Sequence, residues 1–187
     1  KEMRLVGLSN LKFLLLLIII MTIQKINARP LIESDLEEVV KVITETLSVR
    51  LKKDHVPKTE FDEIVNRYSS ENLKSQIMGK YFVVAEEKQG RRLIGVAGLK
   101  KDEGSSVLNR LTTFYVLPDY QGQGVGKQLY DYLYEIATKA GCRKLVVDSS
   151  PEAELFYEKL GFVKKRVTSK KLDNNRKYYN VWMEQEI

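Results

Sequence analysis

Apolar residues recur along this chain with two different periods, and the change from one to the other outlines its elements. Leu36, Val39, Val40, Ile43 and Leu47 fall three or four positions apart, which places them on one face of a helix. Ser34, with Glu37 three positions on, reads as a capping box at its start. Phe61, Ile64, Val65 and Tyr68 repeat the helical pattern after Thr59, and Ser70 begins a shorter helix carrying Leu73 and Ile77. The period then shortens. The runs 81-YFVVAEE-87, 92-RLIGVAGLK-100 and 107-VLNRLTTFYV-116 are short and rich in β-branched and aromatic residues. KQG at 88–90 and DEGSS at 102–106 separate them, so they predict three antiparallel strands joined by hairpins.

Beyond residue 116 strands and helices mix. After a glycine-rich stretch, Leu129, Leu133, Ile136 and Ala137 define the inward face of a helix that Gly141 closes as a C-terminal cap. KLVVD at 144–148 is a strand, Ser150-Pro151 opens another helix, and Gly161 stops it. Phe162 to Ser169 and Lys177 to Glu184 predict two last strands around the turn 173-DNNR-176, and Ile23 to Arg29 a first one ahead of Pro30. With no internal repeat, the sum is one α/β or α+β unit, a mixed sheet of about seven strands with helices on its faces.

Composition narrows the function classes. The chain has 187 residues, 43% of them hydrophobic, enough for one domain with a sizeable core. Its net charge of +6 is spread along the sequence. The single basic run, 164-KKRVTSKK-171, comes without an RNA-stacking motif and reads as a solvated edge rather than a nucleic-acid patch. The surplus still favours a polyanionic cofactor. Cys142 and His55 each stand alone, which excludes a disulfide framework within the chain and a Cys/His zinc cluster, and fits a reducing compartment. His55, just before Pro57 in a polar connection, reads as a surface residue.

The N-terminus pulls the other way. Leu11 to Ile23 is almost wholly apolar, yet it contains Lys12 and is shorter than the ~20 residues of a bilayer span. With Lys1 and Arg4 upstream it resembles a signal-peptide core or anchor. Met21 opens a stretch that reads as a natural domain start, so the expected division is an apolar leader at 1–20, native or not, and a single domain at 21–187.

The stretch 120-YQGQGVGKQLY-130 packs three glycines into five positions at the mouth of a helix. Bare backbone there presents unpaired N–H groups at the positive end of the helix dipole, where a phosphate binds well. A Walker loop would need glycine and Ser/Thr where the chain has Gln121 and Gln128. A dinucleotide fingerprint is spaced GxGxxG, whereas Gly122, Gly124 and Gly126 run GxGxG.

What remains is Q-x-x-G-x-G at 121–126 after a strand ending V-x-P. With Arg29, Pro30, Asp35 and Leu36 near the start, "FYVLPDYQGQGVG" in the middle and "LFYEKLGF" at 155–162, the chain resembles the GCN5-related N-acetyltransferase (GNAT) superfamily from about Met21 to its C-terminus. The resemblance implies a mostly antiparallel sheet whose fourth and fifth strands splay apart, and acetyl-CoA as cosubstrate. It implies that backbone N–H groups from Gln121, Gly122, Gln123, Gly124, Val125, Gly126 and Lys127 hold the pyrophosphate. The pantetheine arm would lie along Phe114, Tyr115 and Val116, whose amides polarise the thioester carbonyl. No metal is implied, and a homodimer is compatible with the family.

In the same resemblance Tyr157 matches the tyrosine that protonates the leaving thiolate in many members; the alternative is a packing residue beside Phe156 and Leu160. Asp148, at the end of the fifth strand, is the candidate base, or else a cap of the following helix. Ribosomal-protein acetyltransferases of the superfamily carry a Glu and an Asn where this chain has Leu145 and Ser150, which argues against that subfamily; Ser150 then either contacts the cofactor or caps its helix. The implied function is direct acetyl transfer to a primary amine of a small molecule, amino acid or peptide, in the cytoplasm. The alternative is a CoA-binding module without transfer. The helical pair at 36–80 and the last hairpin should grip the acceptor, and their mixed charges name none.

Overall fold

The computed structural model describes residues 26–53, 58–77, 79–88, 92–171 and 177–187, and the proposed leader and His55 lie outside these. The first strand, β1 (Ile26–Pro30), leads into helix α1 (Leu36–Lys53), followed by α2 (Lys58–Asn66) and α3 (Ser70–Ile77). Strands β2 (Lys80–Glu87), β3 (Leu93–Lys101) and β4 (Leu108–Val116) form the antiparallel meander predicted from the three runs and the turns between them. Helix α4 (Val125–Lys139), strand β5 (Lys144–Ser149), helix α5 (Glu154–Lys159) and the hairpin β6 (Val163–Lys171) and β7 (Lys177–Glu186) complete the chain. The seven strands make one sheet in the order β1-β2-β3-β4-β5-β7-β6.

Strand β3 is buried without alternation from Leu93 to Leu99, because helices cover both faces of the sheet there. Helix α1 packs on β3 and β4 through Val39, Ile43 and Leu47, and α4 packs on β2, β3 and β4 through Val125, Leu129 and Leu133. Ile136, expected inside, is half-buried. Each fully buried leucine or isoleucine of this core contributes roughly 1.5–3 kcal/mol of apolar burial.

Local details differ from the expected caps. The start of α1 is held by Asp35 rather than by a Ser34–Glu37 box: Asp35 Oδ2 accepts the Ile32 N–H at 2.9 Å, and Arg29 donates to both carboxylate oxygens at 2.6 and 2.9 Å. Glu86 takes the Arg29 Nε–H at 2.6 Å, so β1, β2 and α1 are tied through one guanidinium. Ser69, one position before the expected cap, accepts the Asn72 N–H at the start of α3. Tyr68 falls in the turn after α2 rather than on its face.

Two irregularities open the sheet at its centre. In β4, Thr112 faces Gly98 and Tyr115 faces Val96, so Thr113 and Phe114 together oppose Ala97 in a bulge, with Thr113 at φ +51°. On its other edge β4 meets β5 in parallel over two positions alone, Arg110↔Val146 and Leu111↔Val147. From Thr112 onward the strands part, as the splayed pair was expected to, while Asp148 and Ser149 go on pairing with β7.

Candidate active site

The parting of β4 and β5 leaves a cavity of about 410 Å³. Phe114, Tyr115, Asp148, Ser150 and Tyr157 all line it, which unites five of the residues singled out from sequence. Val116 and the glycine turn lie beyond this lining.

Tyr157 is 5% exposed. Its ring sits among Phe156, Phe162 and Phe114, with centroids 5.1, 5.5 and 6.1 Å away and each pair near edge-to-face. Helix α5 directs it there after Pro151 and a short 3₁₀ turn set the direction out of β5. Among the described residues its hydroxyl has no hydrogen-bond partner, and burial in this aromatic nest pushes its pKa well above the usual phenol value. The group is therefore a neutral O–H donor at the cavity wall.

Asp148 does not cap the following helix. Its Oδ1 accepts from Thr168 Oγ1 at 3.2 Å and its Oδ2 from Asn180 Nδ2 at 3.0 Å, while Arg110 Nη2 lies 3.8 Å from Oδ2. Ser150 makes no side-chain cap bond either; its carbonyl accepts the Ser149 hydroxyl at 2.8 Å.

The glycine turn follows the C-terminal end of β4, outside the cavity lining. Gly122 and Gly124 have φ of +73° and +86°, a region that costs other residues about 1–2 kcal/mol, and Gly124 is the N-cap of α4. Among the described residues no backbone N–H from Gly122 to Lys127 donates to a backbone carbonyl; the first to do so is Gln128, to Gly124 O at 3.1 Å. Gly126 serves packing instead. A Cβ there would sit 3.1 Å from two ring carbons of Phe156, so the missing side chain lets α4 close on α5. Gln121 Nε2 donates to Val116 O at 2.9 Å, stitching the turn to the last residue of β4, and Lys127 pairs with Asp131 at 2.6 Å.

These donors fit a pyrophosphate. The N–H groups are oriented by the helix and lack competing backbone acceptors, and the open edge of β4 from Thr112 to Tyr115 leaves main-chain groups facing the gap. Among the described residues no group of three side chains could hold a metal ion, and no described helix is long and apolar enough to cross a membrane.

Most of the polar lining was not singled out from sequence. Arg50, Arg67, Lys100, Arg110 and Asn180 all face the cavity. The pairing of Lys100 with Arg110 was out of reach, because a plain hairpin with its turn at 102–106 sets Lys100 against Leu108, whereas the register slips between Lys100 and Lys101; Arg50 in α1 and Arg67 in the turn after α2 reach the site only through tertiary packing.

Three relatives frame this geometry. Glucosamine 6-phosphate N-acetyltransferase of Trypanosoma brucei brucei is 40% identical over 75 residues, 38% of this chain and 51% of that protein. A probable glucosamine 6-phosphate N-acetyltransferase of Drosophila melanogaster is 29% identical over 142 residues, 73% of this chain and 60% of that protein. The chain thus spans between half and two thirds of these two relatives. Among solved structures, the PaiA N-acetyltransferase of Thermoplasma acidophilum in complex with coenzyme A shares the fold at a TM-score of 0.70 and 22% identity, over 87% of this chain and 99% of that one. The profile of the acetyltransferase (GNAT) domain matches residues 44–179, from within α1 through the splayed strands, the glycine turn and the Tyr157 helix, and the chain belongs to that family.

Proposed function

We propose that the protein is an acetyl-CoA-dependent N-acetyltransferase that transfers the acetyl group directly to a primary amine. The observation that carries this assignment is the buried, protonated Tyr157 hydroxyl facing the gap between β4 and β5. Backbone N–H groups of Gly122 to Lys127 would hold the pyrophosphate, with Gln121 setting the turn against β4, and the free edge at Phe114, Tyr115 and Val116 would align the pantetheine. Ser150 lines the cavity opposite that edge and would contact the cofactor. Bound acetyl-CoA supplies an activated thioester.

The chain's own residues then manage position and protons. The amine nitrogen bonds to the acyl carbon as the carbon–sulfur bond breaks, and the net change is one proton from nitrogen to sulfur. An alkyl thiol titrates near ~8.5, below this tyrosine, so Tyr157 acts mainly by donating a hydrogen bond to the developing thiolate. Among the described residues Asp148 is the one carboxylate in the cavity lining, and it is assigned as the group that receives the acceptor's ammonium and takes up its proton. Main-chain amides at the β4 bulge would meet charge on the acyl oxygen. Since acetyl-CoA is a cytosolic metabolite, the assignment puts the enzyme in the cytoplasm.

The acceptor in the names of the relatives, glucosamine 6-phosphate, is a primary amine of suitable size and the first compound to assay. Steady-state turnover of an amine panel with acetyl-CoA, alongside calorimetric titration of CoA, tests the proposal. Turnover of at least one amine supports it. CoA binding with no turnover of any amine would leave a binding module instead.

A further inference from the structure

Three cations stand side by side across the sheet. Lys80 on β2 pairs with Lys100 on β3, and Lys100 pairs with Arg110 on β4. Like charges directly opposite each other destabilise a sheet, and burial together with Lys100 lowers the pKa of the Lys80 ammonium. Lys100 and Arg110 line the cavity, where Arg50 from α1 and Arg67 from the turn after α2 join them. Four cationic side chains thus face one carboxylate, Asp148, among the described residues.

Arg110 is held in a defined pose. Asp102 accepts from its Nη1 at 3.0 Å, and the guanidinium lies over the Trp182 ring, 5.1 Å from the centroid. Arg166 covers the same ring at 5.0 Å, and Trp182 is steadied by its Nε1–H donating to Glu184 at 3.0 Å. A guanidinium fork fixed in this way suits an oxyanion with several oxygens, and the neighbouring ammonium of Lys100 adds a second point of charge.

We infer that the cavity floor formed by Lys100 and Arg110, with Arg67 beside it, is a subsite for a phosphate monoester on the amine acceptor, an assignment that presupposes amine transfer at the same site. Trp182 is a positioning residue that keeps the Arg110 fork turned toward the phosphate. A dianion adds to the carboxylates of Asp102 and Asp148 in offsetting the repulsion along the Lys80–Lys100–Arg110 row. Tyr157 and Asp148 reach the cavity from α5 and β5, and the cations from β3, β4, α1 and the turn after α2; Arg110 Nη2 lies 3.8 Å from Asp148 Oδ2, so the amine and phosphate sites adjoin.

The test compares an amino sugar phosphate with the same amino sugar lacking the phosphate, in the full chain and in Lys100→Gln and Trp182→Phe. The phosphorylated amine should be preferred by ~100-fold in kcat/KM, and the preference should fall about tenfold or more in Lys100→Gln and severalfold in Trp182→Phe, mainly through KM. Inorganic phosphate should compete with the acceptor and not with acetyl-CoA. Equal kcat/KM for the two amines, or a preference that survives Lys100→Gln, would overturn the subsite while leaving the transferase intact. Should no amine be turned over, inorganic phosphate still reads the subsite: it should raise the melting temperature of the wild-type chain and not of Lys100→Gln, and an equal response of the two proteins refutes it.

Discussion

Tyr157 meets Phe114 edge to face at 6.1 Å, so the proposed acid on α5 is seated against the bulge of β4. The contact crosses the gap between the two halves of the sheet, and it couples the position of the hydroxyl to the strand edge along which the thioester is proposed to lie. Replacing Tyr157 with Phe keeps the aromatic nest and removes only the donor. Turnover should drop by ~10²-fold or more while CoA affinity, read by calorimetry, stays within about twofold. A parallel loss of both would contradict the assignment.

Burial favours the neutral phenol, so the Tyr157 pKa is raised and the O–H remains a donor well past pH 10. The kcat profile should therefore climb with pH as acceptor ammonium is deprotonated and show no alkaline fall before about pH 10. A descending limb near pH 8–9 that vanishes in Tyr157→Phe would show the phenol ionising early and refute the desolvated state.

Two glycines of the same turn should respond differently to alanine. At Gly122 a Cβ meets open space, and the cost is backbone strain at φ +73°, roughly 1 kcal/mol, expressed in weaker CoA binding. At Gly126 the Cβ presses on Phe156, whose ring is 5.1 Å from that of Tyr157. Overpacking there should cost about 1–3 kcal/mol in denaturant stability and lower kcat more than Gly122→Ala does. The opposite ranking in kcat would place Gly126 in the phosphate cradle alone.

The Arg29–Asp35 pair sets an acid limit on the fold. Burial works against the Asp35 charge, but the Arg29 hydrogen bonds and the Ile32 N–H outweigh it and hold the pKa below its ordinary value. A depressed folded pKa means that the stabilisation is complete above the unfolded value near ~3.9 and is lost as pH falls through the folded one. Urea midpoints should be flat from pH 7 to 5 and decline below about pH 4. Asp35→Asn should cost about 2 kcal/mol at pH 7, between an exposed pair and a fully buried one, and much less at pH 3. An equal cost at both values would assign the loss to packing.

Much of the fold was legible because its signals are local. Helical spacing marked the helices, and short runs rich in β-branched and aromatic residues marked the strands; the turn at 102–106 gave the β3–β4 hairpin but not the register shift that sets Lys100 against Arg110. Helix starts were read less well: at α1 the capping carboxylate of Asp35 answers to Arg29, six residues away, a pair that the GNAT-like motif contains but whose contact no capping pattern reveals. The glycine turn stood out through its spacing, and Tyr157 through the resemblance to the GNAT superfamily. The cationic wall did not, since Arg50 and Arg67 sit in polar stretches of helix sequence whose direction is set by tertiary packing.

Only Arg110 and Leu111 stitch the four-strand leaf of the sheet to the three-strand leaf on that edge. A seam two residues long behaves as a hinge pin: each leaf keeps its own ladder intact whatever angle it makes with the other. The width of the mouth in this chain thus rests on the rings packed across it, Phe114 against Phe156 and Tyr157, and repacking them would change it without renegotiating a single strand register.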